Sequence, residues 1–167
     1  TALPNNDRTF ETDIYGATIQ TQVGQPVGLF FGWQTDGVYA TSEEAKADGK
    51  YVIKENGDYA YFEAGDVKFK DIDGNNVIDK NDRVVIGDPN PDIYGNIFTT
   101  VNWKNLTLSA AFNYSLGNDV YNYQRSLLEG GTYFMNQTTA VGNRWTTEGQ
   151  ITDVPRVNYT DPMGNSR

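Results

Sequence analysis

The 167-residue sequence contains no cysteine and no histidine. Without cysteine there is no disulfide, no zinc–thiolate centre and no thiol nucleophile, and a disulfide-stapled secreted module is excluded. Without histidine the commonest general base and the commonest imidazole metal ligand are missing. Positive charge is scarce: 13 Lys plus Arg face 22 Asp plus Glu, a formal net charge of −9. Such a chain repels phosphate backbones and has no basic run to offset this, so nucleic acid is not a partner; divalent cations are plausible ones. No apolar run approaches the roughly 20 residues that a membrane helix needs. Phosphate loops, dinucleotide fingerprints and GxSxG elbows are absent. Thr1 to Phe10 lacks a charged and apolar leader. Thr1 is not an initiator methionine and Arg167 follows no terminating element, so a piece of a longer protein is expected.

What the sequence has in quantity is tyrosine, 11 residues, and glycine, 17 residues, against a hydrophobic fraction of only 38%. Tyr, Thr, Val, Phe and Trp favour pleated strands, while Gly and Asn favour the turns between them. The composition predicts an all-β protein with wet surfaces and long loops. Ala17 to Val23 alternates as a short strand, and Gly28 to Tyr39 reads as extended chain broken by glycines. Ser42 to Asp48 is the best helical segment, with Ser42 expected as its N-cap. Gly49 to Ala64 predicts a small hairpin about Asn56-Gly57. From Gly117 onward, turn residues dominate: Gly117-Asn118-Asp119, Gly130-Gly131, Gly142-Asn143, Asp153 to Arg156, Asp161 to Asn165.

The clearest pattern is Ile93 to Leu116. Ile93, Gly95, Ile97, Thr99, Val101 and Trp103 alternate on one face; after Lys104-Asn105 the same face continues with Leu106, Leu108, Ala110, Phe112, Tyr114 and Leu116. Asn96, Thr100, Asn102, Thr107, Ser109, Asn113 and Ser115 fall on the other face. A two-residue turn at Lys104-Asn105 sets Trp103 opposite Leu106, Val101 opposite Leu108 and Ile97 opposite Phe112. A soluble sandwich and a membrane barrel both produce this periodicity. Three details favour the barrel. The strands run about 11 residues, the length of a tilted transmembrane strand and well above the roughly 5–6 of soluble domains. The turn is short while the connections beyond are long. Tyr94, Trp103 and Tyr114 sit toward the strand ends, as an interfacial girdle has them.

The sharpest chemical motif is Asp71-Ile72-Asp73-Gly74-Asn75-Asn76-Val77-Ile78-Asp79-Lys80-Asn81-Asp82. Laid on a twelve-residue calcium loop, Asp71, Asp73 and Asn75 take positions 1, 3 and 5, Val77 offers its carbonyl at 7, Asp79 is at 9 and Asp82 at 12. Four carboxylates in so short a loop repel one another without a cation. Asn76 stands where such loops have glycine, and asparagine tolerates the left-handed region. Asp82 replaces the usual Glu and reaches less far. The bland alternative is a polar turn held by Asx hydrogen bonds with no metal. No convincing flanking helices are predicted, so an EF-hand pair is excluded.

Phe30, Phe31, Trp33, Tyr39, Tyr51, Tyr59 and Tyr61 form an aromatic group in the loops, suited to stacking on sugar faces or to ordinary packing. Glu43 with Glu44 and Asp71 with Asp73 pair carboxylates as glycosidases do, but nothing sets either pair across a cleft. The chain is read as a non-enzyme.

Gly24 to Tyr39, Gly65 to Ile97, Leu116 to Asn122, Arg144 to Val157 and Tyr159 to Arg167 together resemble, in order and spacing, the SusC/RagA family of TonB-linked outer-membrane transporters. Thr1 to Val23 carries no such resemblance. The resemblance implies a fragment of a transmembrane β-barrel of about 22 strands with an internal plug. It implies a place in the outer membrane of a Gram-negative, Bacteroidetes-type bacterium, in contact with lipid. The implied partners are a SusD-like surface lipoprotein, TonB acting through a plug region absent from this chain, and a glycan or peptide substrate. On that basis residues 1–92 hold barrel strand and a long extracellular loop with the calcium-like segment 71–82, residues 93–116 form a transmembrane hairpin, and residues 117–167 are extracellular loop, ending before the final strands. The Lys104-Asn105 turn then faces the periplasm. The competing reading is a soluble calcium-stiffened β-module of a surface carbohydrate-binding or adhesion protein; a dockerin-like module is weaker, because dockerins use two such loops.

Overall fold

The structure is a computed structural model that describes residues 9–14, 16–130 and 136–158. Strands dominate it. In chain order they are β1 (Thr9–Ile14), β2 (Ala17–Gln22), β3 (Leu29–Trp33), β4 (Thr35–Val38), β5 (Tyr51–Ile53), β6 (Tyr59–Tyr61), β7 (Val67–Phe69), β8 (Arg83–Gly87), β9 (Ile93–Trp103) and β10 (Leu106–Leu116). Helix α1 (Ser42–Asp48) lies between β4 and β5, and α2 (Tyr123–Glu129) follows β10; 3₁₀ turns occupy Lys80–Asp82 and Thr139–Asn143. The pairings β1–β2, β2–β3, β4–β7, β5–β6 and β9–β10 are all antiparallel. One sheet has the order β1-β2-β3-β8, and the remaining sheets are two-stranded. The expected all-β class holds. The resembling run Tyr159 to Arg167 and the turn residues at Gly131 and Asp161 to Asn165 lie outside the described residues.

The chain divides into two compact units, residues 1–31 with 85–121 and residues 32–84 with 122–167. The long hairpin belongs to the first. Its register sets Trp103 opposite Leu106, Val101 opposite Leu108 and Ile97 opposite Phe112, as the alternation predicts. Lys104 opens the two-residue turn at a left-handed φ of 54°, a conformation that primed hairpin turns require and that glycine adopts most readily. Its ammonium lies 5.2 Å from the Trp103 ring centroid. Glycine matters at Gly95: the Tyr114 ring from the facing strand lies across it, and a Cβ there would sit 2.6 Å from the Tyr114 hydroxyl oxygen. The ring fills the notch, the arrangement by which an aromatic residue covers a strand glycine.

The apolar face of this hairpin has no second layer among the described residues. Ile97, Val101, Leu108 and Phe112 are 60%, 57%, 65% and 63% exposed. On the opposite face the Thr100 and Ser109 hydroxyls hydrogen-bond at 3.2 Å, and the Thr107 hydroxyl donates to Asn102 at 2.7 Å. Phe98 and Tyr94 also lie on that face and are exposed. Contiguous exposed apolar residues on this scale mark a surface that another phase or molecule covers.

The second unit has its own core of Tyr39, Ala45, Phe62, Val67, Phe69 and Ile78, with Val52 and Ala60 packed against it. Phe62 meets the Tyr39 and Phe69 rings at centroid distances of 6.1 and 5.9 Å. The Tyr39 hydroxyl donates to the Asp48 carboxylate. Burial, then that bond and the surrounding carboxylates of Asp48, Glu44 and Asp66, push the Tyr39 phenol far above its ordinary range. Two expectations are corrected here. The N-cap of α1 is Thr41, whose extended backbone aims Oγ1 at the Glu44 N–H, 3.1 Å away. Ser42 is already helical, and its N–H and hydroxyl go to the Glu148 carboxylate instead. Residues 123–129 form helix α2 within a stretch read as loop. Asn122 caps it by accepting from the Arg125 N–H, and Arg125 pairs with Glu129 one turn on at 2.8 Å.

Candidate functional site

The acidic segment folds as a tight loop ending in the first 3₁₀ turn. Gly74 and Asn76 take positive φ values of 77° and 62°, so Asn76 does accept the left-handed conformation. Those turns bring backbone N–H groups onto carboxylates. Asp71 accepts from the Gly74 and Asn76 N–H groups at 2.7 Å each, and Asp73 accepts from the Asn75 N–H at 3.1 Å. Asp82 is fully buried and accepts from the Ile72 N–H at 2.8 Å and the Asp79 N–H at 2.9 Å. Ile78 packs inward as the pattern predicts.

Asp71, Asp73 and Asp82 each offer a carboxylate oxygen, and those oxygens lie within 4.8 Å of one another. The other three residues of the expected set have distinct positions. Asp79 caps the 3₁₀ turn by accepting from the Asn81 N–H at 2.6 Å. The Asn75 side chain donates to Asp73 at 2.8 Å and accepts from the Val77 N–H at 2.6 Å. Val77 forms a parallel bridge to Tyr51, so the loop is stitched to the edge of β5: the Tyr51 N–H donates to the Asn76 carbonyl and the Ile78 N–H to the Tyr51 carbonyl.

The electrostatics follow from this crowding. Partial burial opposes ionisation of Asp71, but the N–H groups of Asn76, Gly74 and Asn75 outweigh it and hold the carboxyl below the usual range. Asp73 is pushed the other way, first by lost hydration and then, against the Asn75 N–H, by the Asp82 and Asp71 carboxylates. A hard divalent cation fits such a donor set: three convergent carboxylates, each positioned by backbone N–H groups and each oxygen retaining a lone pair.

The loop aromatics do not form one platform. Tyr39 is core. Phe30 packs on Tyr121 at 6.4 Å. Trp33 donates its indole N–H to the Asp79 carbonyl at 2.7 Å and carries Arg83 over its ring, which secures the acidic loop from below. Tyr51, Tyr59 and Tyr61 do cluster on the outer face of β5–β6, Tyr51 meeting the other two at 5.1 and 5.4 Å. Glu44 is engaged by Lys68 and by the Ala40 N–H, and so does not face a second carboxylate across a cleft.

Two contact groups were not visible in the sequence, because each joins distant residues. In the first unit the Asp88 N–H donates to the Asp119 carboxylate and the Asp119 N–H to the Asp88 carbonyl, while the Asn90 amide donates to the Val27 carbonyl. In the second, Arg156 pairs with the fully buried Asp66 and Trp145 covers Gly65. The three earlier resembling runs thus meet in one cluster, and the fourth folds back onto the middle of the second unit.

No family model matches the chain. Two curated proteins of Formosa agariphila are similar to it. TonB-dependent receptor P3 is 32% identical over 159 residues, covering 92% of this chain, and TonB-dependent receptor P26 is 31% identical over 137 residues, covering 80%. The chain spans only 15% and 13% of the length of these relatives. With mostly strands, five antiparallel pairings and this similarity along most of its length, the chain belongs among the TonB-dependent receptors, as an all-β fragment of their barrel.

Proposed function

We propose that the whole protein is an outer-membrane importer of the SusC/RagA type in a Gram-negative, Bacteroidetes-type bacterium. TonB energises it through a plug region, a SusD-like surface lipoprotein is its partner, and glycans or peptides are its cargo. It is a transporter and carries out no catalytic step. The observation that carries this reading is the β9–β10 hairpin. Strands of 11 residues, tilted at about 45°, cross roughly 25 Å, the height of the apolar band of an outer-membrane barrel. The face bearing Ile97, Val101, Leu108 and Phe112 meets acyl chains, and the face bearing Thr100, Asn102, Thr107 and Ser109 meets a wet lumen. A sandwich would need a second layer over the first of these faces, whose residues are exposed.

In this reading the acidic loop lies outside the cell, where calcium is abundant. Asp71, Asp73 and Asp82 would hold the ion, with Asn75 and the Val77 carbonyl next in the loop, while Asp79 keeps its place as the cap of the 3₁₀ turn. Bound calcium neutralises the crowded carboxylates; the residues themselves stiffen a long surface loop through the Tyr51 bridge and take no part in moving cargo.

The membrane claim is tested by fractionating cells that make the full-length protein. Recovery only in detergent extracts of the outer membrane supports it. A monomer that melts cooperatively in plain buffer replaces it with the soluble, calcium-stiffened surface module. Calorimetry tests the loop: calcium binds the full-length protein, and replacing both Asp71 and Asp73 by Ala abolishes that heat. No calcium heat in the unaltered protein removes the metal.

A further inference from the structure

Residues 144–156 contain no strand or helix, yet both ends of the segment are attached to the part of the second unit that holds its core, and Trp145 and Val154 are joined to each other by a backbone bond. The Trp145 indole N–H and the Gly149 N–H both donate to the Ala40 carbonyl, at 3.2 and 2.9 Å. The Glu148 carboxylate accepts from the Ser42 N–H and hydroxyl. The Trp145 ring lies on Gly65, where a Cβ would come within 2.6 Å of it. At the far end the Arg156 N–H donates to the Gly65 carbonyl at 2.8 Å. The Arg156 guanidinium forks onto Asp66, Nε to Oδ1 at 2.8 Å and Nη2 to Oδ2 at 3.3 Å, and Nη2 also lies 3.0 Å from Glu63.

The core cluster of Tyr39, Ala45, Phe62, Val67, Phe69 and Ile78 takes no residue from this segment. The segment is attached by hydrogen bonds, by one ring on a glycine, and by ion pairs from Arg156 to Glu63 and to Asp66, a carboxylate with no solvent exposure. A buried carboxylate is tolerable only while paired, and lifting the segment returns both charges to water together. Opening therefore costs less than unfolding the body beneath, which is the condition for a separate opening unit.

We infer that residues 144–156 form a strap that docks on and lifts off the residue 39–78 body as one piece, with Arg156 on Asp66 as its catch. Lifting bares Gly65, Asp66 and the Trp145 ring, so the strap is a two-state element of the loop region. The inference does not depend on the transport reading.

Hydrogen exchange read by mass spectrometry on the full-length protein tests it, with R156A and G65A compared to the unaltered chain. R156A takes the guanidinium from Asp66 and leaves its bond from the Glu63 N–H, whereas G65A displaces Trp145 with every charge intact and also strains the backbone at a φ of 85°. In both, the Gly149 and Arg156 amides exchange on the order of 100-fold faster, while the Lys70 and Ile78 amides stay within about threefold. R156K keeps the charge without the fork; it gives intermediate release and takes the place of R156A if that variant does not accumulate. Parallel acceleration of Lys70 and Ile78 would overturn the inference, because strap and body would then be one cooperative unit. Unchanged Gly149 and Arg156 amides in every variant would overturn it as well.

Discussion

Ala110 and Ala111 are adjacent residues of β10, paired with Thr99 and Phe98 of β9. They sit beside the midpoint of the hairpin and point to opposite faces. Arginine placed at each in turn changes only which face receives the charge. At Ala110 the guanidinium enters the side that carries Ile97, Val101, Leu108 and Phe112. If that side meets acyl chains, arginine near the bilayer midplane costs roughly 2–4 kcal/mol. At Ala111 the guanidinium enters the side of Thr100, Asn102, Thr107 and Ser109, next to the exposed Phe98 ring. A wet lumen hydrates it and the ring face attracts it, so the cost stays within about 0.5 kcal/mol. The expected difference between the variants is about 2–3 kcal/mol. Urea titration of the full-length protein folded into lipid vesicles measures it, with Trp fluorescence as the signal: the A110R midpoint falls well below that of the unaltered protein, and the A111R midpoint stays near it. Equal midpoints, or a lower one for A111R, would refute the assignment of faces.

Gly95→Ala drives Tyr114 off its seat, since the new methyl would lie 2.6 Å from the Tyr114 hydroxyl oxygen and 2.8 Å from its Cζ. Overpacking of this kind costs about 1–3 kcal/mol; the same titration reads it, and a cost unchanged when Tyr114 is also replaced by Leu would show that the ring is not the cause. The second unit loses stability in acid. Glu44 is held below the usual carboxylate range by its Lys68 bond and the Ala40 N–H. Asp48 is held below it because the Tyr39 and Lys50 bonds outweigh burial. With folded values below the unfolded ones, their contribution is complete above the unfolded range and is lost as pH falls through the folded values, so the loss begins below about pH 4. Far-UV circular dichroism melts recorded from pH 7 down to pH 3 check this, and a loss concentrated between pH 5 and 7 contradicts it.

Local patterns determined much of this protein from the sequence alone. The β9–β10 register follows from strict alternation about a two-residue turn, because a slip of one residue would exchange the two faces. Helix α1, the Asn56-Gly57 hairpin and the left-handed Asn76 follow from short-range propensities in the same way. The acidic loop was legible as a spacing, but which carboxylates converge was not. Asp71, Asp73 and Asp82 share a centre because the 3₁₀ turn and the Val77–Tyr51 bridge fold the loop onto β5, while Asp79 is spent on a cap. The capping role passed from Ser42 to Thr41 because Glu148, 106 residues away, holds Ser42. The pairing of Arg156 with Asp66 across 90 residues leaves no periodic trace. A contact between distant segments depends on where the intervening chain places them, and only the tertiary structure decides that.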